Sequence, residues 1–135
     1  MSAMPPILVV EDEALIRMHV VDALRDGGFI VEEAANGISA IAQIDAATTF
    51  QGLITDIRLG NGPDGWTVAH HARQKFPNLA VVYVTGDSAG DWSAEGVPNS
   101  IILQKPFAEA QLIAAISGLL VEAGPPHSQE VSPSD

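Results

Sequence analysis

The chain reads as an α/β domain built on a doubly wound parallel sheet, and three observations predict this. Short continuous apolar runs alternate five times with longer segments whose apolar residues recur at helical spacing. Glycine, proline and asparagine clusters punctuate the junctions. Charged or hydroxyl residues stand directly after the runs, where open α/β sheets bind their ligands. Right-handed crossovers are the usual way to join parallel strands, so helices are expected on both faces.

Each element follows from local pattern. Ile7 to Val10 is wholly apolar, as in a strand covered on both faces, and stops at Glu11-Asp12. Ala14 to Asp26 is expected to be helical, with Leu15, Met18, Val21 and Leu24 as the apolar stripe, Ile16 and Val20 beside it, and Gly27-Gly28 as its stop. Phe29 to Val31 reads as the second strand, and Glu32-Glu33 as its solvated end. Gly37 to Ala47 follows as a helix with Ile38, Ile41 and Ile44 on one face. Gly52 to Thr55 is the third strand and delivers Asp56. After the turn-rich Asn61 to Gly65, Trp66 to Phe76 is helical in pattern and Pro77-Asn78 breaks it. Ala80 to Val84 is the fourth strand, ending on Thr85. Ser88 to Glu95 is expected to hold a helix weakened by Gly90 and Gly96. Ser100 to Leu103 is the fifth strand, and Phe107 to Val121 the last helix, with Leu112, Ile116, Leu119 and Leu120 inward.

Composition excludes several classes of function. A chain of 135 residues, 47% hydrophobic and 17% charged, suits one domain with its own core. The expected division is a domain at 1–122 and a polar, disordered tail at 123–135, too short to fold as a second domain. No apolar run reaches the length of a membrane span. Cysteine is absent, which removes disulfides and thiolate chemistry. Met1 to Pro6 lacks the basic and apolar regions of a signal peptide, so cytoplasmic residence is the expectation. The net charge of −11, with few and scattered cations, disfavours direct binding to nucleic acid.

The strand-end residues carry the chemistry. Glu11, Asp12 and Asp56 offer hard oxygen ligands for a divalent cation, and Lys105 would offset charge that the metal does not reach. This points to a carboxylate nucleophile toward a phosphoryl group, because such a nucleophile needs in-line positioning and nearby cations. Three clustered acids would repel one another without metal and raise a carboxyl pKa. His70 and His71 are adjacent on a helix and point to different faces, so they read as ordinary helix residues rather than a ligand pair. Trp66 and Trp92 read as packing residues at helix edges.

With these residues in place, the chain resembles the receiver domains of two-component response regulators. The stretches ILVVEDE, LITDIRL, VVYVTG and LQKPF match the family's four signatures in order, over about Pro6 to Leu120. The resemblance implies a flavodoxin-like (βα)5 sheet of order 2-1-3-4-5. It further implies Asp56 as phosphoacceptor and Mg²⁺ held by Asp12, by Glu11 mainly through water, by Asp56 and by the backbone carbonyl of Arg58. Thr85 would be the switch hydroxyl, Lys105 would pair with carboxylate or phosphate, and Pro106 would follow a cis peptide bond. The implied partners are a sensor histidine kinase or phosphotransfer protein, met at helix one around Ile16 and Val20, and an unspecified downstream protein. The chain itself would be a single-domain response regulator, a monomer or a phosphorylation-dependent homodimer, and no enzyme beyond its own phosphorylation and dephosphorylation.

Departures from the family shape further expectations. Gly60 stands where the family usually has proline, Pro63 comes later, and Gly65 is displaced by one residue, so this loop should differ in shape. Ile102 replaces an aromatic residue whose rotation usually reports phosphorylation. Thr85 to Lys105 is somewhat short, so the surface built by helix four, strand five and helix five is expected to be atypical. Arg58 and Asp87 are positioned to form an ion pair that slows dephosphorylation. Three other readings compete: a pseudo-receiver acting as a constitutive interaction module, a flavodoxin-like cofactor binder, and a metal-dependent phosphohydrolase. The cofactor binder lacks a phosphate-cradling loop after strand one, and the hydrolase lacks a second acid two residues after Asp56, where Arg58 stands.

Overall fold

A computed structural model of the chain describes residues 4–87 and 89–123. It contains the expected alternation: β1 Ile7–Val10, α1 Ala14–Asp26, β2 Val31–Ala34, α2 Gly37–Ala46, β3 Gly52–Asp56, α3 Gly65–Lys75, β4 Ala80–Thr85, α4 Trp92–Glu95, β5 Ser100–Gln104 and α5 Glu109–Ala123. The five strands are parallel and lie in the order β2-β1-β3-β4-β5. Residues 124–135 of the expected tail lie outside the described residues, and α5 runs one residue past the expected boundary at 122. Among the described residues no helix is long and apolar enough to cross a membrane.

The apolar runs are continuous because the sheet is covered twice. Successive side chains point to opposite faces, so Leu8, Val10, Leu53, Val81 and Tyr83 join one core with Ala40 and Ile44 of α2 and Val68, Ala69 and Ala72 of α3. Ile7, Val9, Ile54, Val82 and Val84 join a second core with Val20, Val21 and Leu24 of α1 and Leu112, Ala115, Ile116 and Leu119 of α5. Each such aliphatic side chain contributes roughly 2 kcal/mol when fully buried.

Local chemistry sets the helix ends. Asn36 caps α2 by accepting from the Ser39 amide at 2.8 Å, and Asp64 caps α3 by accepting from Thr67 at 2.9 Å. Lys75 closes the far end of α2, its Nζ donating to the carbonyls of Ile44, Asp45 and Ala47 at 2.7–2.9 Å. Helix α1 stops where Gly28 takes φ +95°, which lets the Phe29 amide fold back to the Leu24 carbonyl at 3.0 Å.

Five expectations are corrected. The second strand is not Phe29 to Val31 but Val31–Ala34, because Phe29 is used in closing α1 and Glu32-Glu33 sit within the strand, exposed. Leu15 and Met18 do not face the core, being 76% and 53% exposed; the buried stripe of α1 lies in its second half, at Val20, Val21, Ala23 and Leu24. Ile38 is also exposed, because the buried stripe of α2 runs through Gly37, Ala40 and Ile44 and Ile38 lies off it. Of the expected Ser88 to Glu95 helix, Ser88 lies outside the described residues, and the rest is a 3-10 turn at Ala89–Asp91 followed by the four-residue α4, about one turn of α-helix. The last helix starts at Glu109, two residues late, where Gln111 Oε1 accepts from the Ala108 amide at 2.9 Å.

Around that short helix, side chains stand in for missing turns. Tyr83, fully buried and tilted against Trp66 with centroids 4.6 Å apart, accepts from the Val97 amide at 3.0 Å. Trp92, 36% exposed, donates its indole N–H to Ser100 Oγ at 2.9 Å, and Ser100 donates to the Val97 carbonyl at 2.6 Å. Ile102 is half-buried against the core that contains Tyr83. His70 donates to the Glu95 carbonyl at 2.8 Å and His71 pairs with Asp45 at 2.7 Å, each on a different neighbour, as adjacent helical positions require.

Candidate functional site

Strand register gathers the strand-end residues at one edge. Val10 is level with Thr55, Asp56 with Val84, and Thr85 with Gln104, so Glu11, Asp56, Thr85 and Lys105 follow one another across β1, β3, β4 and β5. One carboxylate oxygen from each of Glu11, Asp12 and Asp56 falls within 4.8 Å of the others. Glu11, Asp56 and Thr85 are buried and Asp12 is exposed. An open crevice of about 470 Å³ lies over Asp12, Asp56, Arg58, Thr85 and Lys105.

Lys105 binds the acids together. Its Nζ donates to Asp56 Oδ2 at 2.9 Å and to Glu11 Oε1 at 3.2 Å. The Lys105–Pro106 peptide is cis, and the Lys105 amide donates to the Thr85 carbonyl at 2.7 Å, which continues the sheet into the site. Burial works against the Lys105 ammonium, but the hydrogen bond and charge of Asp56, with those of Glu11, outweigh it and hold its pKa above the ordinary lysine value. Burial pushes the Glu11 carboxyl up to about 7, and the Asp56 charge adds to the rise. The Glu13 amide, donating to Glu11 Oε2 at 3.1 Å, and Lys105 oppose it.

The donor set fits a small hard cation. It consists of oxygens alone, all within 4.8 Å of one another, close enough for a single ion with bonds of roughly 2 Å to draw them together. Three carboxylates facing one ammonium leave negative charge in excess, which a divalent ion would neutralise.

Two glycines shape the loop after Asp56. Gly60 has φ +75°, a conformation closed to proline, whose ring fixes φ near −65°. Gly65 is equally constrained, because a β-carbon there would collide with the Asp56 carbonyl oxygen. At the crevice mouth Arg58 Nε meets Asp87 Oδ1 at 3.0 Å, the ion pair expected from the sequence, with both side chains largely in solvent. The Thr85 hydroxyl accepts from the Asp87 amide at 3.2 Å.

Sequence reasoning missed Arg17 and Glu13. Arg17 Nη1 donates to the Glu11 carbonyl at 2.7 Å, and the Glu13 amide reaches the Glu11 carboxylate. A lone arginine five residues after an acidic pair was the available signal. Beside the site, a mostly apolar cavity of about 550 Å³ is lined by Leu15, Ile16, Val20, Pro106 and Phe107. The face expected at Ile16 and Val20 therefore owes its exposure to Leu15 and Met18, since Val20 is buried and Ile16 half-buried.

A five-stranded 2-1-3-4-5 sheet with acids after β1 and β3, a hydroxyl at the end of β4 and a lysine after β5 defines a flavodoxin-like receiver fold. The family description "response regulator receiver domain" matches residues 7–117, and the chain belongs to that family, the receivers of two-component signalling. A crystal structure of a response regulator receiver protein from Sinorhizobium medicae is 42% identical, covers 89% of this chain and 97% of its own, and superposes with a TM-score of 0.86. The response regulator receiver protein CpdR of Brucella abortus is 30% identical over 122 residues, 89% of this chain and 100% of CpdR. The sensor kinase CckA of the same organism is 29% identical over 123 residues, and there the chain spans 13% of the relative's length.

Proposed function

We propose that this receiver accepts a phosphoryl group on Asp56 from a phosphohistidine donor and passes the signal on as a change in surface shape. The observation that carries this reading is Asp56 itself, buried at the end of β3, paired with Lys105 and within metal-ligand distance of Glu11 and Asp12. Asp12 and Asp56, Glu11 and the Arg58 carbonyl would hold Mg²⁺. When bound, Mg²⁺ supplies positive charge that offsets the charge building on the transferred group.

The chain's own residues do the rest. In the transfer, the donor's N–P bond breaks as an Asp56 O–P bond forms, and the imidazole leaves with the electron pair. Lys105 keeps Asp56 oriented before transfer and neutralises a phosphoryl oxygen after it. Thr85 is the switch: turning its hydroxyl toward the phosphoryl oxygens costs its present contacts, the Asp87 amide among them, and so pulls on the connection to the short α4. The apolar cavity over Leu15, Ile16, Pro106 and Phe107 suits a helical donor, which would bring its phosphohistidine to the adjoining crevice. The match to the receiver protein CpdR along the whole of that protein's length supports this reading.

Incubation with Mg²⁺ and a small acyl phosphate, read by intact mass, tests the reading. Wild type should gain the mass of one phosphoryl group and Asp56→Asn should gain none. No adduct on wild type would favour a pseudo-receiver, and sustained phosphate release without adduct would favour a hydrolase.

A further inference from the structure

Arg17 sits in the first turns of α1, on the protein side of the acidic cluster, with its side chain only 20% exposed. Its Nη1 donates to the Glu11 carbonyl oxygen at 2.7 Å and its Nε to Glu33 Oε1 at 3.2 Å. That carbonyl lies one residue beyond the last registered pairs of β1, Val10 with Ala34 and Val10 with Thr55. The ladder has ended there, and this partly buried backbone oxygen takes its donor from a side chain instead. The oxygen belongs to the peptide joining Glu11 to Asp12, so the guanidinium fixes the plane from which both carboxylates depart. Glu33 is itself anchored, since Gln43 of α2 donates to its carbonyl at 2.8 Å.

We propose that Arg17 is a positioning residue for the divalent-cation site: it holds the Glu11–Asp12 peptide so that both carboxylates converge with Asp56. The inference rests on the metal-dependent reading above and assigns this chain's strap for it. Electrostatics alone makes the opposite forecast. A cation beside an acidic site repels a second cation, so deleting it would tighten metal binding. Deleting a positioning group loosens binding in spite of the charge removed.

The test is Mn²⁺ binding to the full-length protein, read as free Mn²⁺ by electron paramagnetic resonance, with Mg²⁺ measured by competition. Arg17→Met keeps the aliphatic stem and removes donors and charge; its dissociation constant should rise about tenfold, the typical worth of a charged hydrogen bond. Arg17→Lys keeps the charge but lacks the fork that reaches two acceptors, and should weaken binding roughly threefold. Glu33→Gln leaves the bond to the Glu11 carbonyl and should stay within about twofold of wild type. Thermal melts establish that each variant is folded, and Arg17→Lys carries the test if Arg17→Met is not. Unchanged or tighter binding in the folded Arg17 variants, with or without a lower melting temperature, overturns the proposal while leaving the metal site standing. A wild type that binds neither ion overturns the metal reading and this proposal with it.

Discussion

In metal-free solution Glu11 should make this protein less stable as the pH rises, and the size of the effect follows from its burial. The carboxyl is 2% exposed, and burial lifts its pKa from 4.5 to about 7. Between those values the folded chain keeps a proton that the unfolded chain has released. Unfolding therefore releases a proton, and stability falls with pH through this window and levels off above it. The gap corresponds to about 3 kcal/mol lost by alkaline pH, at about 1.4 kcal/mol per tenfold change in proton affinity. Glu11→Gln, which mimics the protonated acid, isolates the effect. Urea unfolding in EDTA from about pH 4 to about pH 9 should give matching stabilities at the acid end and an advantage of about 3 kcal/mol for Glu11→Gln at the other. Excess Mg²⁺ should reverse the order at alkaline pH, because the metal stabilises only a chain that offers it the ionised carboxylate. A difference between the two proteins that does not change with pH, or a Glu11 carboxyl resonance that titrates at the ordinary glutamate value, would refute the reasoning.

Other consequences are as direct. Lys105→Met removes the ammonium shared by Asp56 and Glu11 and should slow phosphorylation by acyl phosphate roughly a hundredfold, read by intact mass against time. Gly65→Ala drives a β-carbon into the Asp56 carbonyl and should cost more than about 2 kcal/mol in urea unfolding. Gly118→Ala in α5 meets nothing within 4 Å and should add about 0.5–1 kcal/mol. Arg58→Ala, Asp87→Ala and the double variant should shorten the phosphoryl lifetime to the same extent, since each opens the same ion pair; three lifetimes equal to wild type would exclude that role. Leu15→Glu should impair transfer from a phosphohistidine protein while leaving labelling by acyl phosphate unchanged, and equal loss in both assays would count against a docking role.

Much of this architecture was legible because two simple signals coincided. Runs such as Ile7 to Val10 and Ala80 to Val84 are apolar at every position, which a doubly covered strand requires and a one-faced strand does not. The turn residues around Gly60 and Gly65 announced a reshaped loop, and both glycines prove to occupy positions that other residues would strain. Periodicity failed where apolar residues serve a surface: Leu15 and Met18 fall on the helical repeat, but pattern cannot tell a core stripe from an exposed one. It failed again at β2, where Phe29-Ile30 looked like a strand start and Glu32-Glu33 like its end, although an edge strand tolerates consecutive charged residues facing solvent. Within the site, side-chain chemistry was readable but backbone support was not. The Arg17 bond to a carbonyl depends on where a strand ladder ends, which no residue type encodes.

The two indoles give the protein a pair of built-in optical probes on two different helices. Trp66 is sealed against Tyr83 at the start of the helix that follows the Asp56 loop, whereas Trp92 is partly open to solvent on the single helical turn before β5. Acrylamide should quench the second and spare the first. With one replaced by phenylalanine at a time, the emission of the other would follow events at the loop after Asp56 or at the short helix separately, with no dye attached.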